Sequence, residues 1–324
     1  MKFVNLMIAL FLLIIMPLSG ALAGDGLRVF VSILPQQYFV QQIGGEHVDV
    51  QVMVAPGASP ATYEPKPRQM AALSKARLYF AIGVPFETAW MDKIAAANPS
   101  MQVVHTEQGI HKQPMAAHHH EGEHHQEDEH DEDAGQHEGE HHHEAEHHED
   151  ADQHPEDSHH GHGILDPHIW LSPPLVKVQV NTIMKALVAA DPSHAADYER
   201  NGQHFLAEID ALDRDLKKIF AGQGGRRFMV FHPAWGYFAA AYGLVQVPVE
   251  LEGKDPKPAQ LQELIRYARQ HHINVIFVQP QFSRRSAAIV AGEIGGRVVP
   301  ADPLALNWME NLRQVAEAFA AALR

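Results

Sequence analysis

Between residues 27 and 105, the spacing of apolar and polar positions switches repeatedly between that of a strand and that of a helix. Short apolar or alternating runs predict strands at 27–33, 47–54, 76–82 and 101–105. The segments between them predict helices at 35–43, 66–75 and 85–97. This alternation is typical of an α/β unit, a parallel sheet with helices on both faces, whose ligands bind at the carboxyl ends of the strands.

The second half of the chain repeats this alternation. Strands are predicted at 227–231, 244–251, 274–279 and 297–301. Helices are predicted at 258–271, 283–294 and 308–323. The two halves share an architecture without evident sequence repetition, and 324 residues suffice for two units with their own cores. We therefore expect two α/β lobes.

Two helices are predicted between the halves. Residues 175–190 carry an apolar stripe at helical spacing, and Asp191-Pro192 ends it. The second helix is predicted at 193–221 and would be about 43 Å long at a rise of 1.5 Å per residue. A helix of that length is long enough to cross two small domains.

Residues 118–162 fit neither period. The segment contains 17 of the 40 acidic residues and 16 of the 25 His, with no Lys, no Arg and no large apolar side chain. It is predicted to be disordered, because it has nothing to bury in a core. It is either a solvated linker or a collector of divalent cations, which imidazoles and carboxylates bind. Imidazole binds metal only when neutral, so capture should fade below about pH 6.

This segment also accounts for the net charge of −15, since the rest of the chain is close to charge balance. A nucleic-acid-binding surface is therefore not expected.

The N-terminal residues predict export. Lys2, the apolar run 6–18 and Ala21-Leu22-Ala23 form a signal peptide at 1–23, cleaved near Ala23. The apolar run is too short for a comfortable membrane span. The chain has no Cys, which excludes disulfides, thiolate metal sites and a lipid-modified N-terminal Cys. A Gram-negative periplasm fits these features best.

Several motifs occur in the order seen in one family. Residues 165–174 read LDPHIWLSPP and resemble the DPHxWLSP signature of the solute-binding proteins of zinc and manganese ABC importers, the cluster A-I family. The same family has motifs similar to PGASPATYEP at 56–65, FHPAWGYF at 231–238, EGKDP at 252–256, QPQF at 279–282 and ADPL at 301–304. A central His-rich segment is typical of its zinc branch.

The resemblance implies an organisation and a site. It implies an N-terminal lobe at 24–192, a linker helix at 193–221 joining the lobes, and a C-terminal lobe at 222–324. The metal ligands carried over from the motifs are His168, His232 and Asp302, at the cleft between the lobes. From the residues alone, His168 and His232 could instead be structural, and Asp302 before Pro303 could be a turn former.

The sequence departs from the family pattern at two positions. Ala61 stands where the family has its first His ligand, so water, a His from 118–162 or Glu64 would have to complete the site. Gln279 stands where many relatives have Glu.

Two imidazoles, one carboxylate and an open position suit four-coordinate Zn²⁺. Manganese relatives have Glu at the position of His232, and a nitrogen ligand there favours zinc, as does the Irving–Williams order. Mn²⁺ is the alternative.

The resemblance implies a monomer that captures Zn²⁺ in the periplasm and delivers it to a membrane ABC permease, and it implies no enzymatic activity. A zinc buffer or sensor with a degenerate cleft is the first alternative, favoured by Ala61. A zinc hydrolase is the second, but no candidate general base is placed beside these ligands, and Glu64 is the only nearby acid with a case.

Overall fold

The computed structural model describes residues 26–115, 165–250, 254 and 256–323. The predicted signal peptide at 1–23 and the His-rich and acidic segment at 118–162 lie outside these residues. In the part of the chain that the structure describes, every helix is too short or too polar to cross a membrane.

The first half forms a four-stranded parallel sheet with the order β2-β1-β3-β4. Its strands are β1 Leu27–Val31, β2 Val48–Val52, β3 Leu78–Ala81 and β4 Gln102–His105. Its helices are α1 Leu34–Gly44, α2 Pro67–Leu73 and α3 Pro85–Ala97. All four residues of β3 are buried, as expected for a central strand covered on both faces.

The second half forms a second parallel sheet with the equivalent order, β6-β5-β7-β8. Its strands are β5 Arg227–Val230, β6 Val245–Pro248, β7 Val275–Val278 and β8 Arg297–Pro300. Its helices are α6 Gly236–Ala241, α7 Pro258–Gln270, α8 Arg284–Glu293 and α9 Trp308–Ala322. Between the two halves, α4 Pro173–Ala190 and α5 Ala195–Ile219 form the connection. The predicted α/β fold with two lobes is confirmed.

Helix α5 is the long helix expected from the sequence. It has 25 residues, which gives about 38 Å, and it follows a short 3₁₀ turn at Pro192–His194. It packs against α1 of the first half, against its neighbour α4, and against α9 of the second half. Contact with helices from both halves is what a connection between two lobes requires.

Two tryptophans form a second connection between the lobes. The indole of Trp170, in the 3₁₀ turn Ile169–Leu171, donates a hydrogen bond to the carbonyl oxygen of Pro303 at 2.7 Å. The indole of Trp308 donates to the carbonyl oxygen of Trp170 at 2.6 Å. Both side chains are buried in a core that extends through both halves. The turn that follows His168 is therefore held between the lobes.

The corner between α4 and α5 is built around Asp191. Its carboxylate accepts hydrogen bonds from the Ser193 hydroxyl at 2.5 Å, His194 Nδ1 at 2.6 Å and the Tyr198 hydroxyl at 2.7 Å. Desolvation opposes the effect of these donors, but they outweigh it and lower the pKa of Asp191 to about 2. The charged carboxylate is thus the form that the fold stabilises.

Replacing Asp191 with Asn is expected to lower stability at pH 7 by about 1 kcal/mol, the usual scale for such bonds at a partly exposed corner. Because the pKa is lower in the folded state, this contribution is complete above the ordinary pKa near 3.8 and is lost as the pH falls to about 2. Urea unfolding of both proteins between pH 7 and pH 2 measures it. Asp49→Asn, at an exposed position of β2, is the matched control. An equal deficit for Asp191→Asn at all pH values would contradict the prediction.

Candidate metal centre

The structure brings two of the three predicted ligands together. His168 directly precedes the 3₁₀ turn Ile169–Leu171, and His232 follows the carboxyl end of β5. Their ring centroids lie 5.1 Å apart, and the ring planes meet at 70°. The two imidazoles therefore come from opposite halves of the chain and meet where the lobes face each other.

His168 is buried and oriented by a carboxylate. Its ring Nδ1 lies 2.6 Å from Asp166 Oδ1, and its backbone N–H donates to the same oxygen at 2.9 Å. Burial lowers the pKa of His168 and so favours the neutral ring, although the Asp166 carboxylate acts in the opposite direction. Because Nδ1 is hydrogen-bonded, Nε2 is the nitrogen that remains to bind a metal ion, as in carboxylate–histidine–zinc arrangements.

His232 is fixed in the same manner. Its Nδ1 lies 2.5 Å from Oε1 of Glu250, whose carboxylate is buried, and its ring stacks on Phe282 with centroids 4.8 Å apart. Both rings of the pair therefore have a carboxylate on Nδ1 and present Nε2.

Gln279 holds the backbone of His232. The Gln279 amide oxygen accepts from His232 N–H at 3.2 Å, and the amide nitrogen donates to the His232 carbonyl at 2.6 Å. A Glu carboxylate could accept the first bond but could not donate the second. The Gln at this position is thus a structural clamp.

A cavity of about 190 Å³ lies at the imidazole pair. It is lined from the first half by Ala61, Pro85 and Trp170, and from the second half by Phe282 and Leu304, among others. Ala61 is in the loop that follows the carboxyl end of β2, and it lines the same cavity as His168. Glu64 is exposed, and it is not among the described residues that line this cavity.

Asp302, the third predicted ligand, faces a different space. Its Oδ1 accepts from the Leu304 N–H at 2.9 Å and from Gln281 Nε2 at 3.2 Å, and it lines an adjoining cavity of about 500 Å³. In this arrangement Asp302 forms a turn, the alternative that its position before Pro303 left open. Within 26–115, 165–250, 254 and 256–323, no three His, Cys, Asp or Glu side chains are grouped so that they could hold a metal ion.

Residues 29–322 match the family described as the periplasmic component A of the zinc-uptake complex. The chain belongs to this family. It is 30% identical to the high-affinity zinc uptake system protein ZnuA of Bacillus subtilis over 296 residues, which cover 89% of this chain and 80% of the relative. It is therefore a solute-binding protein of zinc uptake and not an enzyme, which removes the hydrolase alternative.

Solved structures agree with this assignment. A crystal structure of ZnuA superposes with a TM-score of 0.76 at 39% identity, over 93% of this chain and 100% of that chain. A ZnuA deletion mutant with zinc bound superposes equally well, with a TM-score of 0.76 at 39% identity, over 92% and 98% of the two chains. Both have the two-lobe fold described above.

Asp166 and Glu250 are the functional residues that the sequence interpretation missed. Asp166 lies inside the DPHIWLSP motif, and the rule that metal-binding imidazoles carry a carboxylate partner could have identified it. Glu250 is 18 residues from His232 and follows β6, the neighbour of β5 in the sheet. Only the pairing of these strands places Glu250 beside the ring.

Proposed function

We propose that the protein captures Zn²⁺ in the cavity between its lobes and delivers it to a membrane ABC permease. The observation that carries this proposal is the pair His168 and His232, each with Nδ1 on a buried carboxylate and Nε2 available. Neutral imidazole nitrogens oriented in this way are preferred ligands of Zn²⁺. Membership of the zinc-uptake family supports the same cargo.

Asp302 is the proposed third ligand, and water, a His from 118–162 or Glu64 completes the four-coordinate site. A carboxylate would balance part of the charge of the cation in a cavity whose other walls are largely apolar. Nitrogen at His232 favours zinc over manganese, which prefers oxygen ligands. The remaining place lies towards Ala61, where the first lobe contributes a methyl group.

The proposed setting is the periplasm. The predicted signal peptide at 1–23 and the lack of Cys support export without a lipid anchor. The mature protein would be a monomer with lobes at 24–192 and 222–324, joined by the helix predicted at 193–221. The permease would recognise the zinc-loaded protein.

The segment 118–162 is proposed to act as an auxiliary zinc collector. Its composition of His and acidic residues supports weak binding of several cations. Its neighbours in the sequence meet at a defined place, since Pro114 and Leu165 form an antiparallel bridge and Asp166 N–H donates to the Gln113 carbonyl at 2.8 Å. Met115 lines the same cavity as His168. Collected zinc would therefore be released close to the imidazole pair.

Deletion of 118–162 is expected to leave the fold intact, because the bridge between Pro114 and Leu165 already closes the two flanks. The shortened protein should bind one zinc tightly and lack the weak sites. Calorimetric titration gives the stoichiometry, and circular dichroism reports the fold. The related ZnuA deletion mutant was crystallised with zinc bound, which agrees with this expectation. An unfolded protein, or an unchanged number of bound zinc ions, would contradict the prediction.

Growth under zinc limitation tests the transport function. A strain that lacks its own periplasmic zinc-binding protein but keeps the permease should grow in the presence of a zinc chelator when it expresses this chain. A zinc buffer or sensor with a degenerate cleft, the alternative that Ala61 favours, would bind zinc without restoring growth. The variant His168→Ala should fail to restore growth if the cavity supplies the permease.

A further inference from the structure

The order of strands in the second sheet separates two of the proposed ligands. His232 follows β5 and Asp302 follows β8, and β7 lies between these strands. With neighbouring strands about 4.8 Å apart, the two strand ends are roughly 10 Å from each other. The loop after β7 therefore lies between the carboxylate and the imidazole.

Gln281, in that loop, lies between the two cavities. Together with Leu304, it lines the cavity of the imidazole pair and also the larger cavity that contains Asp302. Its Nε2 donates to Asp302 Oδ1 at 3.2 Å. The assignment of this amide follows from chemistry, because a carboxylate oxygen can only accept and must face the NH₂ group.

The amide oxygen of Gln281 lacks a comparable hydrogen bond among the described residues. Among the described residues, the buried Oε1 of Gln281 has no hydrogen-bond partner. By contrast, both polar atoms of the nearby Gln279 are engaged with the backbone of His232. The Gln281 amide can therefore turn away from Asp302 without breaking a second bond.

We infer that Gln281 is a positioning residue that holds Asp302 away from the imidazole pair, and that zinc binding exchanges this hydrogen bond for coordination by the carboxylate. The inference rests on the proposed function, since it takes Asp302 as a ligand. The bond from Leu304 N–H is local and would keep Asp302 in its turn, whereas the bond from Gln281 comes from the loop that lies between Asp302 and His232. Zinc binding would thus require breaking the hydrogen bond between Gln281 and Asp302. This weakens binding and so also favours release of zinc to the permease.

Zinc affinity of Gln281→Met tests this inference, because Met has a similar length and cannot donate to the carboxylate. Removing the competing bond should tighten zinc binding by about 5-fold or more, the change expected for a typical net hydrogen bond. Chelator competition measures the affinity. In an Asp302→Ala background the same substitution should give no gain. The matched control is Gln314→Met, since Gln314 lines the larger cavity but donates to Glu310, at 2.8 Å.

Cobalt replaces zinc as a spectroscopic probe in the same proteins. The visible spectrum of the cobalt-loaded Gln281→Met protein should match that of the wild type, because Gln281 is not a ligand in the loaded state. The spectrum of Asp302→Ala should differ. A changed spectrum in Gln281→Met, or equal or weaker zinc binding, would overturn the inference.

These outcomes are separable from failure of the proposed function. If the wild-type protein has no tight zinc site, or if His168→Ala leaves that site unchanged, the proposed function fails. If His168→Ala removes the site while Gln281→Met fails to tighten it, only the role of Gln281 is rejected.

Discussion

Replacing either His168 or His232 with Ala is expected to weaken the tight zinc site by at least about 100-fold, or ~2.8 kcal/mol. Each substitution removes a ring whose orientation is already fixed by a carboxylate. It also leaves Asp166 or Glu250 buried without its imidazole. Changes to the residues that orient such ligands already cost 10–100-fold in other zinc sites, so loss of the ligand itself should cost more. Chelator competition in the full-length protein measures the loss, and weak binding by 118–162 should remain.

A control is available on the surface of α5. His204 is exposed, with Glu208 3.6 Å away, and His204→Ala should leave the tight site unchanged. Thermal unfolding without zinc shows whether the two cavity variants remain folded. Unchanged tight binding in both His168→Ala and His232→Ala would reject the assignment of the site.

Most of the fold could be predicted from apolar periodicity. Helix α3 has the bounds predicted for it, and α5 begins two residues later than predicted, after a 3₁₀ turn that takes up the difference. The turn Ile169–Leu171 and the short helix α6 were missed. They have only three and six residues, too few for a period to be visible. They depend on distant partners, such as the Gln246 side chain that accepts from Trp235 N–H at 2.6 Å just before α6.

Only the parts of the site that lie in recognisable motifs could be predicted from the sequence. His168 and His232 stand in segments similar to family motifs, and the structure brings them together. The partnership of His232 with Glu250 depends on which strands are neighbours in the sheet, and single-sequence patterns do not encode that order. The location of Asp302 depends on hydrogen bonds from Leu304 and Gln281 that the motif alone does not reveal. The coordination of Asp302 therefore stays a prediction.

The substitution Ala61→His is expected to tighten zinc binding by about ten-fold or more, or ~1.4 kcal/mol. Exposed Ala61 lines the cavity of the imidazole pair, so a larger side chain at this position does not overfill the core. A new imidazole would add a ligand from a loop that lines the same cavity as His168. The matched control is Thr62→His, which places the same ring at an exposed neighbouring position outside the described lining of the cavity.

The size of the gain also identifies what completes the site in the natural sequence. If water occupies the place near Ala61, the gain from Ala61→His should be equal with and without 118–162. If a His from that segment occupies it, the gain should be larger in the deletion protein, because the full-length protein already has a fourth ligand there. Chelator competition on the four proteins distinguishes these cases. If Ala61→His changes zinc affinity in neither background, position 61 is not adjacent to the bound ion. The ion would then lie closer to the second lobe, where the carboxylate of Asp302 is available.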